Sequence, residues 1–368
     1  MKHLKAVYGT ILMCFFLVSF IQVQTNERQE NKGYELIVPD LRIPWGFTFL
    51  PDNSILITEK SGKLIHFKNG KKQEISGLPK IKEQGQGGLM DIELHPKYKS
   101  NKWIYFTYAS GNSKGANTTL MRARIQNNRL INQEVLYKAT PNTRRGQHFG
   151  SRIAFDTKGY VYFSVGDRGN RDQNPQDLTK DGGKIYRLHD DGKIPKDNPF
   201  VNISNAKTAV YSYGHRNPQG MEINPFTGKI WSHEHGPRGG DEINIVKKGK
   251  NYGWPKASFG INYIGTKFTD KTSIKGMEDP LHQWTPSIAP SGMAFVNSDK
   301  YPGWKGDLLV GSLKFRYISH CTLKNGKVVK EEKILEKLGR VRSIEQGNDG
   351  FLYAGIEQFG IVRILPKK

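Results

Sequence analysis

Cysteine is almost absent from this sequence of 368 residues, which contains only Cys14 and Cys321. Cys14 lies in an apolar segment near the N-terminus, so a chain that loses this segment keeps one cysteine. A single cysteine cannot form an internal disulfide, which excludes a disulfide-stabilised scaffold. An exported protein of this kind must be stabilised by its hydrophobic core or by a bound metal.

Long hydrophobic runs are also lacking, except for one at the N-terminus. A positively charged start precedes a mainly apolar segment, residues 6–23, and polar residues 25–28 follow at once. This order is typical of a secretory signal, and the run is short for the alternative, a membrane anchor. We therefore predict a signal peptide over residues 1–24 and a single domain over residues 33–368. The mature chain is expected to be periplasmic or secreted, with no membrane span.

Dense clusters of one charge sign are missing, although the net charge is +22 from 56 Lys and Arg against 34 Asp and Glu. The basic residues are spread mostly as single lysines in turn-like segments. This distribution favours a solvated basic surface, and nucleic-acid binding is not expected.

Helical periodicity is nearly absent, and short β-branched and aromatic runs bounded by Gly, Asn, Asp and Pro dominate. One pattern recurs six times, a turn followed by a short apolar strand. The copies are separated by roughly 45 to 80 residues, the length of a four-stranded unit with variable loops. The six strands are predicted at residues 55–57, 103–106, 160–163, 230–231, 308–310 and 351–353.

These repeats predict an all-β fold, a six-bladed β-propeller of four-stranded antiparallel blades around a central channel, rather than a sandwich or jelly roll. The early strand at residues 34–38 is expected to join the last blade, which closes the ring and removes a sheet edge. The longest insertions are expected at residues 168–181 and 257–282.

Polar residues follow or precede the predicted strands. His148 lies between glycines just before one strand, and Asp167 directly follows the next. A histidine can act as a general base, and an aspartate that accepts its hydrogen bond would orient it. A surface histidine beside a turn-forming aspartate is the alternative. The glycine-rich segment 85–89 could let the backbone approach a ligand closely, or form a plain tight turn.

Other residues suggest anion and metal sites. Adjacent Arg216 and Asn217 offer fixed donors to an oxyanion or a quinone carbonyl. Segments 233–237, 241–244 and 251–255 combine carboxylates with loop carbonyls, which are the hard oxygen ligands of Ca²⁺. His233 and His235 could instead indicate zinc, but a third ligand at convincing spacing is lacking.

Three basic residues near the C-terminus also point to an anion. Arg340 and Arg342 share a face if their segment is a strand. Together with Lys314 they would form an anion pocket where the loops of a propeller meet the channel. Two solvated edge charges are the alternative for the arginine pair taken alone.

These motifs occur in a fixed order that resembles the PQQ-dependent glucose/sorbosone dehydrogenases, particularly their aldose sugar dehydrogenase branch (PQQ is pyrroloquinoline quinone). The resemblance extends from about Pro39 to the C-terminus, and the motifs at 214–220 and 251–255 are the most specific. The motifs are Gly-Gln-Gly-Gly-Leu at 85–89, His148 with Gly150, Val-Gly-Asp at 165–167, Gly-His-Arg-Asn-Pro-Gln-Gly at 214–220, Gly-Pro at 236–237, Asp-Glu-Ile-Asn at 241–244, Asn-Tyr-Gly-Trp-Pro at 251–255, Ser-Leu-Lys at 312–314 and Arg-Val-Arg at 340–342.

The resemblance implies an enzyme that oxidises an aldose to a lactone with PQQ and Ca²⁺ and passes electrons to an external acceptor. It makes His148 the base for the proton of the anomeric hydroxyl, oriented by Asp167, with hydride passing from that carbon to the quinone. Arg216 would bind the negative oxygen that develops there. The residues implied to bind PQQ, a tricarboxylate, are Gln86, Arg216, Asn217, Tyr263, Lys314, Arg340 and Arg342.

The resemblance also implies two calcium ions. Gly236 and Pro237 would give backbone carbonyls to the active-site ion, whereas Glu242 and Tyr252 match a second, structural ion. Two other functions remain as alternatives, a metal-dependent lactonase using His148, His233 or His235, and a non-catalytic carbohydrate-binding propeller. The retained Lys314, Arg340 and Arg342 argue against both. The preferred sugar, the acceptor and the oligomeric state (monomer or homodimer) stay open.

Overall fold

The computed structural model describes residues 33–366 and consists almost entirely of strands, with one short helical turn, α1 (Tyr98–Asn101). The predicted signal peptide lies outside the described residues. Within the described range, no helix has the length and apolar character needed to cross a bilayer.

The strands form six four-stranded antiparallel sheets, which confirms the predicted six-bladed propeller. Blade 1 contains β2 (Pro44–Phe49), β3 (Ile55–Glu59), β4 (Lys63–Lys68) and β5 (Lys71–Ile75). Blade 2 contains β6 (Leu89–Leu94), β7 (Ile104–Asn112), β8 (Gly115–Gln126) and β9 (Arg129–Lys138). Blade 3 contains β10 (Ile153–Phe155), β11 (Val161–Val165), β12 (Lys184–Leu188) and β13 (Val210–Tyr213). Blade 4 contains β14 (Pro218–Ile223), β15 (Ile230–Glu234), β16 (Asp241–Val246) and β17 (His282–Trp284). Blade 5 contains β18 (Pro290–Phe295), β19 (Leu308–Ser312), β20 (Ile318–Lys324) and β21 (Lys327–Ile334). Blade 6 contains β22 (Val341–Gln346), β23 (Leu352–Ile356), β24 (Gly360–Ile364) and β1 (Tyr34–Pro39).

The ring is closed by the N-terminal strand. β1 pairs antiparallel with β24, with Tyr34 opposite Ile364, as the sequence predicts. The first strands of neighbouring blades contact one another around the complete ring, including β2 with β22. Because these strands are innermost, they surround the central channel, and the outer edge of blade 6 is supplied by the start of the chain.

All six repeated strands prove to be the second strands of the blades, which are β3, β7, β11, β15, β19 and β23. Their apolar residues are buried because they pack between neighbouring blades. Tyr105 of blade 2 and Phe163 of blade 3 belong to one core cluster, and the ring centroid of Tyr105 lies 4.8 Å from that of Phe155 of blade 3. Such large aromatic contacts between blades stabilise the ring without disulfides.

The antiparallel order of each blade places the start of its first strand and the end of its second strand on the same face of the propeller. We call this the site face. The insertion at residues 247–281 also contributes residues to the site face. It runs back alongside β13, where Asn251 forms a parallel β-bridge with Tyr213. The Trp254 N–H then donates to the Gly214 carbonyl at 2.9 Å. This path carries residues 251–263 to the site face.

Candidate active site

The site face gathers nearly all the residues that the sequence singles out. They enter first strands or leave second strands, apart from Glu242, which lies near the start of the third strand β16, and Tyr252 and Tyr263, which belong to the returning insertion. The residues that enter first strands are Gln86, His148, Arg216, Asn217, Arg340 and Arg342, and those that leave second strands are Asp167, Gly236, Pro237 and Lys314.

His148 and Asp167 form a direct hydrogen bond, with 2.6 Å between Nδ1 and Oδ1. Asp167 is buried and accepts two more bonds, from the Gly169 N–H at 2.6 Å and from the Trp254 indole N–H at 2.9 Å. The carboxylate is therefore held rigidly. It fixes the proton of neutral His148 on Nδ1 and leaves Nε2 as the basic nitrogen.

The backbone of His148 has a left-handed conformation, with φ of 58°, which is unusual for a residue with a side chain. Its N–H donates to Oε1 of Gln86 at 2.7 Å. Its carbonyl lies so close to Gly166 that a Cβ there would approach the oxygen to 2.4 Å. These contacts hold the backbone of His148 in its strained conformation and so fix the position of the imidazole. Strained residues held in this way are common at functional sites.

Burial lowers the pKa of His148 below 6.5, and the positive charge of Arg216 lowers it further, although the hydrogen bond to Asp167 opposes both effects. Burial by itself would raise the pKa of Asp167. The hydrogen bond to His148 and the charge of His148 outweigh it, so the pKa of Asp167 falls. At neutral pH the pair is therefore an ionised carboxylate and a neutral imidazole, the state required of a general base.

Arg216 projects beside this pair and is held by neutral partners. Its Nη1 donates to the His235 carbonyl at 3.1 Å, and its Nη2 lies 3.5 Å from the Tyr263 hydroxyl. Among residues 33–366, its buried Nε finds no hydrogen-bond partner. Asn217 lies deeper, where its Oδ1 accepts the Gly150 N–H at 3.1 Å.

His148, Asp167 and Arg216 line a cavity of about 550 Å³ on the site face, which Asn217 does not reach. This volume is within the range of roughly 300–1,000 Å³ that small-molecule sites occupy. The structure brings together at its wall the predicted residues Gln86, His148, Asp167, Arg216, Pro237 and Tyr263, and adds Trp254. Tyr263 is 72% exposed, so the cavity is open on that side.

The glycines of segment 85–89 serve the protein's own packing. A Cβ on Gly85 would lie 2.2 Å from the Gly146 carbonyl oxygen, and one on Gly87 would collide with the Phe149 ring at 2.5 Å. The close approach that the sequence suggested towards a ligand is therefore an approach to the neighbouring segment 146–149. This contact supports the loop that carries His148.

Arg340 and Arg342 also meet on this face, where the structure adds an acidic partner that the sequence did not reveal. Lys314 follows Leu313 beside them, with its Nζ 4.9 Å from the centre of the Phe315 ring. Nε of Arg340 lies 2.6 Å from Oε2 of Glu357, and Nε of Arg342 lies 2.9 Å from its Oε1. Nη1 of Arg340 donates to the Leu313 carbonyl at 3.1 Å, next to Lys314. The group of three cations and one anion keeps a net positive charge.

This cationic group connects to the His148 region through the channel wall. Nη1 of Arg342 donates to Oε1 of Gln219 at 3.2 Å, and Nε2 of Gln219 lies 3.3 Å from the Gly150 carbonyl. On the other side, Leu313 N–H bonds to Ala289, next to Pro290, whose carbonyl is 2.7 Å from Nε2 of His235. The predicted anion pocket and the predicted base therefore share one channel.

The other end of the channel has carboxyl groups instead of cations. Glu93, Glu222 and Glu345 occupy the fifth position of β6, β14 and β22, three residues beyond Arg342 in the last of these strands. Burial raises the pKa of all three, to about 7 for Glu222, and neighbouring carboxylates add to the effect. An anionic ligand is therefore favoured at the basic end, on the site face.

A smaller cavity of about 10 Å³, room for roughly one water or ion, touches three of the predicted metal residues, Gly236, Glu242 and Tyr252. Burial raises the pKa of Glu242 to about 8, and the charge of Glu234 contributes. Nδ2 of Asn244 donates to Oε2 of Glu242 at 3.2 Å, and among residues 33–366 the buried Oδ1 of Asn244 finds no hydrogen-bond partner. A carboxylate without a cationic partner and an orphaned amide oxygen match the ligands of a hard cation.

Two other metal predictions gain geometric detail. The Tyr252 hydroxyl donates to the Ile245 carbonyl at 2.7 Å and accepts the Lys247 N–H at 2.8 Å, so only its backbone carbonyl remains for an ion. The Gly236 N–H donates to Asp241 at 2.8 Å, which orients the Gly236–Pro237 turn.

The zinc alternative receives no support. Nε2 of His233 lies 3.1 Å from the Gly292 carbonyl, and His235 similarly contacts Pro290. Across residues 33–366, no three or more His, Cys, Asp or Glu side chains are arranged to hold a metal ion.

The fold and the site define a class: a six-bladed propeller that holds a histidine–aspartate pair and a basic pocket in one channel. The chain belongs to the glucose/sorbosone dehydrogenase family, whose model matches residues 41–362. This confirms the family resemblance and the predicted class of enzyme, an oxidoreductase.

Three relatives illustrate the similarity. The chain is 42% identical over 350 residues to aldose sugar dehydrogenase YliI of Escherichia coli K12, covering 92% of this chain and 94% of that protein. The crystal structure of the soluble aldose sugar dehydrogenase from Escherichia coli in its apo-form superposes with a TM-score of 0.87 at 39% identity, covering 91% and 99%. The PQQ-bound aldose sugar dehydrogenase of Streptomyces coelicolor superposes with a TM-score of 0.76 at 26% identity, covering 89% and 96%.

Proposed function

We propose that this protein oxidises aldose sugars to lactones with PQQ and Ca²⁺ and passes the electrons to an external acceptor. The observation that carries the proposal is the buried His148–Asp167 pair, which shares a channel with a group of cations suited to a tricarboxylate. The PQQ-bound relative supports the choice of cofactor. The signal-like residues 1–24 support export to the periplasm or the medium.

His148 acts as the general base. Its Nε2 takes the proton of the anomeric hydroxyl, while Asp167 stabilises the imidazolium that forms. The rigid carboxylate keeps the imidazole aimed at the cavity, so no reorientation is needed during the proton transfer. When bound, PQQ supplies the quinone that accepts the hydride released from the sugar carbon.

Arg216 lines the cavity and supplies positive charge where an oxygen becomes negative. Asn217 holds a neighbouring oxygen, while Gln86 and Tyr263 complete the walls. Lys314, Arg340 and Arg342 would hold the carboxylates of PQQ, because guanidinium groups bind carboxylates through paired hydrogen bonds. Glu357 prepositions both arginines.

The donors near Glu242 fit calcium. Glu242 and the Tyr252 carbonyl would hold a structural ion, and the orphaned Asn244 oxygen makes a further ligand. The Gly236 and Pro237 carbonyls would hold a second ion beside the cofactor, oriented by Asp241. All of these ligands are oxygens, as Ca²⁺ requires.

The deciding experiment is a dye-reduction assay with several aldoses, with PQQ and Ca²⁺ added separately and together. We expect turnover only when both are present. No turnover and no spectral change on adding PQQ would overturn the proposal, and lactone hydrolysis and plain sugar binding would then be tested.

The acid limit of activity should lie below pH 6.5. Only neutral His148 can accept a proton, and burial with the nearby Arg216 charge lowers its pKa below 6.5. Activity should thus persist as pH falls to 6.5 and decline at lower pH, as His148 becomes protonated. A profile of log kcat/KM against pH checks this, and a limb centred above 6.5 would contradict it.

Calcium should raise the melting temperature, more at pH 8 than at pH 6. The ionised form of Glu242 binds the cation, and its pKa of about 8 without metal means that it is mostly protonated at pH 6. At 100 times the dissociation constant, one site contributes about 2.7 kcal/mol, or about 4 °C for a chain of this size.

The matched variant is Glu242→Gln, which keeps the shape but removes the charge. Its calcium-dependent gain in melting temperature should fall by at least half at pH 8 in differential scanning calorimetry. An unchanged gain would assign the stabilising ion to other residues.

A further inference from the structure

The cavity beside His148 contains more positive charge than the proposed reaction uses. Three arginines line it, Arg145, Arg171 and Arg216, against two aspartates, Asp167 and Asp172. Arg216 and Asp167 belong to the proposed catalytic machinery. Two arginines and one aspartate remain to be explained.

Arg171 is fixed in place mainly by uncharged neighbours. Its Nη1 donates to Oδ1 of Asn262 at 2.8 Å, and its guanidinium lies 4.6 Å from the centre of the Phe268 ring. Asp172 is 3.4 Å from its Nε, but the Asp172 side chain is 81% exposed. Such an exposed pair is weak, so Arg171 keeps most of its attraction for another anion.

Arg145 is the less neutralised of the two. Among residues 33–366, no carboxylate lies within ion-pairing distance of its guanidinium. Its stem lies against Gly169, since a Cβ there would be 3.2 Å from Cδ of Arg145. Its carbonyl accepts bonds from Nη2 of Arg168 at 2.9 Å and Nε2 of Gln84 at 3.3 Å. The backbone is thus anchored beside Asp167.

We infer that the preferred substrate is an aldose with an anionic group remote from C1, a carboxylate or a phosphate at C6, bound by Arg145 and Arg171. This rests on the proposed function, because it assumes that the C1 hydroxyl lies at His148. The same cavity touches the imidazole and both arginines. Planar guanidinium forks recognise carboxylate and phosphate oxygens by paired hydrogen bonds. The anionic group takes no part in the reaction, and C1 loses its two electrons and protons as in a neutral sugar.

The test compares D-glucuronate, D-glucose 6-phosphate and D-glucose in the assay with PQQ, Ca²⁺ and a saturating uncharged dye. We expect kcat/KM for at least one anionic sugar to exceed that for glucose about tenfold, the effect of one charge-assisted contact. The sugar that is favoured identifies the anion. The advantage should shrink as ionic strength rises from about 0.01 to about 1 M, where the screening length falls from about 30 Å to about 3 Å.

Arg145→Gln should reduce this anionic-to-neutral ratio at least about fivefold, as a lost charge-assisted contact predicts. Arg144→Gln is the matched control, because it removes the same charge from an exposed neighbour outside the cavity lining and should leave the ratio unchanged. Equal losses in both variants would show a diffuse charge effect and overturn the inference. Equal kcat/KM for all three sugars would overturn it as well, while the proposed function stands.

Calorimetric titration of glucuronate and glucose into the protein with PQQ and Ca²⁺ separates the two proposals. If no sugar is oxidised, the proposed function fails. Tighter binding of glucuronate that Arg145→Gln abolishes would still support the anionic site, and equal or absent binding would reject it.

Discussion

His148→Ala is expected to lower kcat roughly 10²–10⁴-fold, the usual contribution of a positioned general base. The imidazole is the group in the cavity whose hydrogen bond to Asp167 leaves a basic nitrogen, Nε2, for the substrate. PQQ binding should persist, because the predicted cofactor cations belong to other blades. The measurement is steady-state turnover of an aldose, together with a PQQ titration of the same variant.

His189→Ala is the control for removing a histidine. The His189 ring packs at a tilt against Tyr160, with centroids 5.0 Å apart, and does not line the cavity. The turnover of the His189→Ala variant should match that of the unaltered protein. If His148→Ala keeps more than about a tenth of the activity, another group removes the proton, and the assignment of the base is wrong.

The double variant Lys314→Gln with Arg340→Gln is expected to raise the Kd for PQQ about 10²-fold or more. Each change removes one charge-assisted contact with a carboxylate, worth about 1.5–3 kcal/mol before solvent screening. Lys314 is exposed and the Arg340 side chain is 45% exposed, so their loss should leave the fold intact. Arg342 is spared because it contacts Glu357 in a partly buried position. Fluorescence quenching on titration with PQQ measures the change.

Lys71→Gln with Lys327→Gln serves as the matched control. These exposed lysines begin β5 and β21, outside the cationic group, and removing them lowers the net charge by the same amount. The Kd of this double variant for PQQ should stay within about twofold of that of the unaltered protein. An equal effect of both double variants would attribute PQQ affinity to net charge and contradict a specific pocket.

Local patterns were the easiest to predict. The turn-and-strand repeat reflects contacts within one antiparallel pair, so it is visible in a short window of sequence. His148 and Asp167 were also within reach, because one hairpin, β10 with β11, brings together residues that are 19 positions apart.

Contacts between distant segments were missed. Trp254 donates to Asp167 across 87 positions, and Arg342 donates to Gln219 across 123. No periodic signal marks such pairs, because they depend on how the blades pack around the ring. Glu357 was missed for a simpler reason, since an acid beside cofactor-binding arginines resembles any surface glutamate in sequence.

The sequence by itself determined the number of blades, the closure of the ring by residues 34–38, and the kinds of side chain available for chemistry. These follow from strand periodicity, turn residues and composition, which are local properties. Only the tertiary structure decided which of these side chains share the channel and that Glu357 lies between Arg340 and Arg342. It also decided that Arg145 and Asp167 line one cavity, where Arg145 forms no salt bridge with any residue from 33 to 366. The pKa of each channel side chain depends on its burial and on its distance from other charges. Burial and these distances are fixed only when the six blades pack together.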